Sequence, residues 1–86
     1  MYKIEYSKDI EKELSKLPKA DVSKIVAKID GLIENPRVAF GAEPLQGKFK
    51  GLHRIRSGNY RIIYQIIDDI LTILVVKVSH RREVYR

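Results

Sequence analysis

The chain has 86 residues, 44% of them hydrophobic and 33% charged, with no cysteine and a net charge of +6. That size fits one domain over residues 1–86, and the missing cysteines exclude a disulfide framework and thiolate metal sites, which makes the cytoplasm the default compartment. The longest nearly apolar run, Ile70 to Val76, spans seven residues, far short of the roughly 20 that a membrane helix needs, so no membrane role is expected.

Taken in chain order, Tyr2, Ile4 and Tyr6 alternate with Lys3 and Glu5, which predicts a first strand rather than a signal peptide. Ser7 is a good N-cap, with Asp9 and Glu11 suited to the positive end of a helix that carries Ile10, Leu14 and Leu17 on one side and stops at Pro18. Val22, Ile25, Val26, Ile29, Leu32 and Ile33 form the apolar stripe of a second helix, closed by Asn35-Pro36. The stretch from Pro36 to Gly51, with two prolines and three glycines, reads as a loop with strand fragments at most. Leu52 to Ser57 and Tyr60 to Ile67 make a hairpin about Gly58-Asn59, and Asp68-Asp69 marks a second tight turn before a last strand from Ile70 to Val78. The order βααβββ predicts an α+β domain: an antiparallel sheet of about four strands with an N-terminal helical hairpin packed on one face and the other face free.

The charge is unevenly placed. Residues 1–43 hold eight Lys/Arg and eight Asp/Glu, whereas residues 44–86 hold nine against three, so all of the excess lies in the second half. Arg37 is alone in the first half; Arg54, Arg56, Arg61, Arg81, Arg82 and Arg86 share the second. Guanidinium groups grip phosphate through paired hydrogen bonds, so the partition points to a polyanion partner. With Gly58-Asn59 as the turn, Arg56 faces Arg61 and Arg54 faces Ile63. All three arginines then project from one side, with Ile55, Ile62 and Tyr64 on the other. Like charges directly opposed on a sheet are destabilising, and no carboxylate falls within these strands to relieve them. A two-residue turn at Asp68-Asp69 would further place Val76 beside Arg61, with Val78 and His80 on the arginine side.

The chain contains no glycine-rich phosphate loop, and His53 and His80 without neighbouring carboxylates make a poor metal site, so no metal or other cofactor is expected. RNA cleavage needs neither, because the 2′-hydroxyl is the nucleophile once a base takes its proton and cations stabilise the charged phosphorane. Histidine or a lysine of lowered pKa suits the proton transfer and tyrosine can stack a base.

Three runs carry a resemblance: Pro44-Leu45-Gln46-Gly47, the hairpin from Leu52 to Ile66, and Val78-Ser79-His80-Arg81-Arg82-Glu83-Val84-Tyr85. Together they resemble the RelE/ParE toxin superfamily of type II toxin–antitoxin systems, with the RelE branch nearest. The resemblance implies a RelE-like fold and a ribosome-dependent endoribonuclease that cuts mRNA in the A site. It also implies a site in which Arg54 and Arg56 contact the phosphate, Arg61 steadies the transition state, Arg81 helps the leaving group and Tyr85 stacks on the substrate base. His80 is a further catalytic candidate, because arginine is a poor base at neutral pH. Lys48, Lys50, His53, Arg82 and Arg86 are candidates for RNA contact. The implied partners are the ribosome, mRNA and a cognate antitoxin, whose acidic helical segment is expected to dock over the arginines and an apolar strip of Leu74, Val76 and Val78 in a hetero-oligomer. The chain ends one residue after Tyr85, so no further helix is expected to cover the arginine face. The alternatives are a ParE-like inhibitor of DNA gyrase and a non-catalytic RNA-binding homologue.

Overall fold

A computed structural model describes residues 1–80. Strand β1 (Lys3–Tyr6) leads into helices α1 (Lys8–Ser15) and α2 (Lys19–Asp30), followed by the short strand β2 (Glu43–Pro44) and the long strands β3 (Leu52–Ser57), β4 (Tyr60–Ile67) and β5 (Thr72–His80). The Ser7 hydroxyl accepts a hydrogen bond from the Ile10 amide at 3.3 Å, which caps α1 as its sequence predicts. Helix α2 buries Ile25 and Ile29 but ends at Asp30, short of the expected stop at Asn35-Pro36, so Leu32 is buried from the turn that follows the helix.

One helix-side core joins Ile10, Ile25, Ile29 and Leu32 of the helical half to Ile55, Ile62, Tyr64, Ile73, Val75 and Val78 of the sheet. The sheet therefore has a covered face and an open one. Its strand order is β1-β5-β4-β3-β2. Five strands form it rather than about four, because two residues of the Pro36–Gly51 loop pair with β3. It is also mixed rather than wholly antiparallel: β1 runs parallel to β5, with Lys3 opposite Thr72 and Tyr6 opposite Val75. Polar–apolar alternation fixes which way side chains point but carries no strand polarity. At this edge Asp68 ties the pieces together, accepting hydrogen bonds from Tyr2 Oη at 2.6 Å and from Arg37 Nη2 at 2.6 Å and Nη1 at 3.3 Å.

The β3–β4 hairpin has the predicted register throughout, with Arg56 opposite Arg61, Ile55 opposite Ile62 and Arg54 opposite Ile63. Gly58, at φ +57°, takes the left-handed first position of the two-residue turn, where a type II′ hairpin places glycine.

The β4–β5 pairing departs from expectation in two steps. The turn is not two residues but four: a 3₁₀ segment, Asp68–Ile70, followed by Leu71 in the left-handed region at φ +46°, so that Ile67 pairs with Thr72. That change is even and leaves every side chain on its predicted face. A bulge then inserts Val76 between the Tyr64–Val75 and Ile63–Lys77 pairs, and one extra residue reverses the faces beyond it. Ser79, not Val76, lies opposite Arg61, and Tyr60 pairs with His80. Val78 and His80 are accordingly on the helix side, contrary to the sequence expectation.

Candidate functional site

Two cross-strand rows at the hairpin end of the open face carry the arginines. One runs Arg56, Arg61 and Ser79; the next runs Glu43, Arg54, Ile63 and Lys77. Arg54, Arg56 and Arg61 are brought together on this side as predicted, but their surroundings differ. Arg56 is exposed. Arg61 is half-buried, and its Nε is buried without a hydrogen-bond partner among the described residues. Arg54 is neutralised: its Nη2 donates to Glu43 Oε2 at 2.8 Å, with the arginine side chain 20% exposed and the glutamate 62%. No carboxylate falls within the hairpin strands, as expected, but one reaches Arg54 from β2. Glu43 lies outside the hairpin in sequence and reaches the row through the register of β2 on β3. A buried donor lacking a partner favours the arrival of an acceptor, and two opposed guanidinium groups favour an anion between them.

Neither histidine shares this face. His53 pairs with Tyr64 and stacks on its ring, with centroids 6.0 Å apart and planes 26° apart. Burial and the nearby Arg37 guanidinium hold its pKa below the usual 6.5, and its Nδ1 is buried with no partner among the described residues. His80 meets the Tyr60 ring edge-on at 5.2 Å. It lines a cleft of about 220 Å³ with Asp21, Lys24 and the Ser57–Tyr60 turn, where Tyr60 Oη donates to Asp21 Oδ2 at 2.9 Å. His80 is therefore corrected from a neighbour of the arginines to a residue of the opposite face, because the bulge at Val76 turns it over.

Lys48 and Lys50 are exposed around the 3₁₀ segment Gly47–Phe49. Arg81, Arg82, Tyr85 and Arg86 lie outside the described residues. Three contributors escaped the sequence reading. Glu43 was hidden by its loop composition. Lys77, the one charged residue of β5, was placed by the displaced register. Phe49 carries no periodic signal, yet Lys77 Nζ stands 5.8 Å and Lys48 Nζ 5.3 Å from its ring centroid. Among the described residues no three His, Asp or Glu side chains gather as a metal site would require, and no helix is long and apolar enough to cross a membrane.

The family model described as the ParE toxin of the type II toxin–antitoxin system, parDE, matches residues 4–85. The chain belongs to the RelE/ParE toxin superfamily. Among the relatives of this RelE-like toxin, toxin RelG of Mycobacterium tuberculosis is 28% identical over 99% of the chain and 97% of its own length. Toxin RelE of the same organism is 30% identical over 87% of the chain and 76% of its own length. In the solved archaeal RelE–RelB complex of Pyrococcus horikoshii, the matching chain is 32% identical, with a TM-score of 0.77 over 93% of this chain and 94% of that one. A RelBE toxin–antitoxin complex from Mycobacterium tuberculosis gives 26% identity and a TM-score of 0.81 over 93% and 98%. The α+β architecture, with its helical hairpin against the sheet, is thus the RelE-like topology.

Proposed function

We propose that this toxin is a ribosome-dependent endoribonuclease that cuts mRNA in the A site without a metal ion. The observation that carries the reading is the direct opposition of Arg56 and Arg61 on the face the helices leave open. A scissile phosphate between them relieves their repulsion and gives the buried Arg61 Nε an acceptor. The 2′-hydroxyl attacks phosphorus, the bond to the 5′ oxygen breaks, and that oxygen takes a proton from water, so the products are a cyclic phosphate and a 5′-hydroxyl. Arginine is too strong a base to be found deprotonated at neutral pH. Glu43, an exposed carboxylate on the same face, is the group suited to take the 2′ proton, and Arg54 fixes its position. Arg81 supports the leaving oxygen and Tyr85 stacks on the substrate base, roles implied by their match to the RelE motif. Lys48, Lys50, Arg82 and Arg86 add contacts to the RNA backbone.

An antitoxin partner is part of the proposal, since two of the related toxins were solved in complex with RelB. Its acidic helical segment would neutralise Arg56 and Arg61 and cover Leu74, which stays on the open face. A translating-ribosome cleavage assay with wild type, Arg61→Ala, Arg81→Ala and Tyr85→Phe tests the activity: mRNA cut by wild type and spared by the variants supports it, and translation arrest with intact mRNA overturns it. A second reading, gyrase inhibition, draws on the ParE description of the matching family model. Gyrase-dependent DNA breaks together with intact mRNA would favour that reading.

A further inference from the structure

Phe49 has no place in the helix-side core and belongs to no strand. It sits instead in a one-turn 3₁₀ segment that opens at Gly47 (φ +67°) and precedes Gly51 (φ +95°), two left-handed positions that return the loop toward the sheet. Its ring is half-buried on the open side, within 5.8 Å of Nζ of Lys77, a residue that projects from that side opposite Ile63. Ile63 is 3% exposed although neither α1 nor α2 covers this face and it is not part of the core cluster. Ile63 and Lys77 lie two residues from the Arg61–Ser79 pair, about 7 Å along the strands.

An aromatic ring with ammonium groups on hand, one row from a phosphate-holding arginine pair, is the composition of a single-strand RNA subsite: a ring to stack a base and cations to follow the backbone. We propose that Phe49 is a stacking platform for a nucleobase flanking the scissile phosphate, with Lys48 and Lys77 gripping the backbone beside it. In the free toxin the two ammonium groups shield the ring; on binding, the base takes over the ring and the ammonium groups turn to phosphate oxygens. The strand then runs along β4 from Arg61 toward Ile63, and the identity of the base over Phe49 contributes to sequence preference. The inference rests on the RNA-cleaving reading above.

The test measures cleavage of ribosome-programmed mRNAs at limiting toxin, each mRNA bearing a normal or an abasic nucleotide at one position flanking the cut. At one such position, removing the base is expected to slow wild type about tenfold, and Phe49→Leu to slow the normal mRNA by a similar factor. The two losses should not add, and Phe49→Tyr should restore the rate. Lys77→Ala should weaken cleavage of all sequences alike and flatten its salt dependence. Thermal unfolding of each variant controls for folding. Equal slowing of normal and abasic mRNAs by Phe49→Leu at every flanking position would overturn the platform while leaving the nuclease reading intact. Failure of the wild type to cut any mRNA would overturn both.

Discussion

Glu43 and Arg54 are cross-strand neighbours on β2 and β3, joined at 2.8 Å. The pair neutralises one of the three guanidinium groups on the open face and anchors a carboxylate one cross-strand row from the other two. The carboxylate end of the pair is 62% exposed, which limits what it adds to stability to about 1 kcal/mol, so its main effect is to place a carboxylate on the open face. Glu43→Gln is therefore expected to leave the urea midpoint nearly unchanged while slowing ribosome-dependent cleavage by about 100-fold or more, the range for removal of a proton acceptor. Unimpaired cleavage by that variant would remove Glu43 from the mechanism.

Arg56 and Arg61 oppose one another, with no ion pair to a carboxylate for either among the described residues. Arg56 is exposed, so its truncation relieves repulsion at little cost in packing. Arg56→Ala should raise unfolding stability by a few tenths of a kcal/mol, up to about 1, and abolish most of the cleavage. Chemical denaturation alongside the ribosome assay reads both effects. A destabilised Arg56→Ala would mean that the opposed pair carries no strain.

The difference between what could and could not be read in the sequence lies in two turns. Gly58-Asn59 states its loop length in its composition, so the whole β3–β4 register and the shared face of three arginines followed from it. Asp68-Asp69 does not: Leu71 in the left-handed region has no composition signal, and the bulge at Val76 leaves no mark in a run of β-branched residues. One unmarked residue was enough to move His80 and Val78 to the opposite face and to conceal Lys77. The Glu43–Arg54 contact depends on a two-residue strand, too short for any periodicity to show.

Tyr64 donates from its hydroxyl to the Pro36 carbonyl at 2.6 Å, wholly buried. The bond pins the loop after α2 to the middle of the sheet. Tyr64→Phe leaves that carbonyl unsatisfied and should cost about 1–3 kcal/mol in urea unfolding. Burial pushes the phenol up to about 12 from 10.0. Its contribution to stability is thus complete below pH 10 and drains away as pH rises toward 12. Unfolding midpoints collected across that window should fall for wild type and fall less steeply for Tyr64→Phe.

His53 contributes to the acid side of the stability profile, alongside Asp68, whose carboxyl the Arg37 guanidinium and the Tyr2 hydroxyl hold below its usual range. Burial first, and the Arg37 guanidinium second, keep the imidazole neutral below its ordinary 6.5. A depressed histidine pKa means that the unfolded chain takes up the proton first, so its contribution to stability is present above pH 6.5 and is lost as pH falls through the lower folded value. The stack on Tyr64 can be kept while the titration is removed, because Phe presents a ring of similar size. His53→Phe should therefore match wild type near neutrality and lose less stability on acidification, with the buried Nδ1 removed as well. Parallel acid-limb curves for the two proteins would show that another group governs that limb.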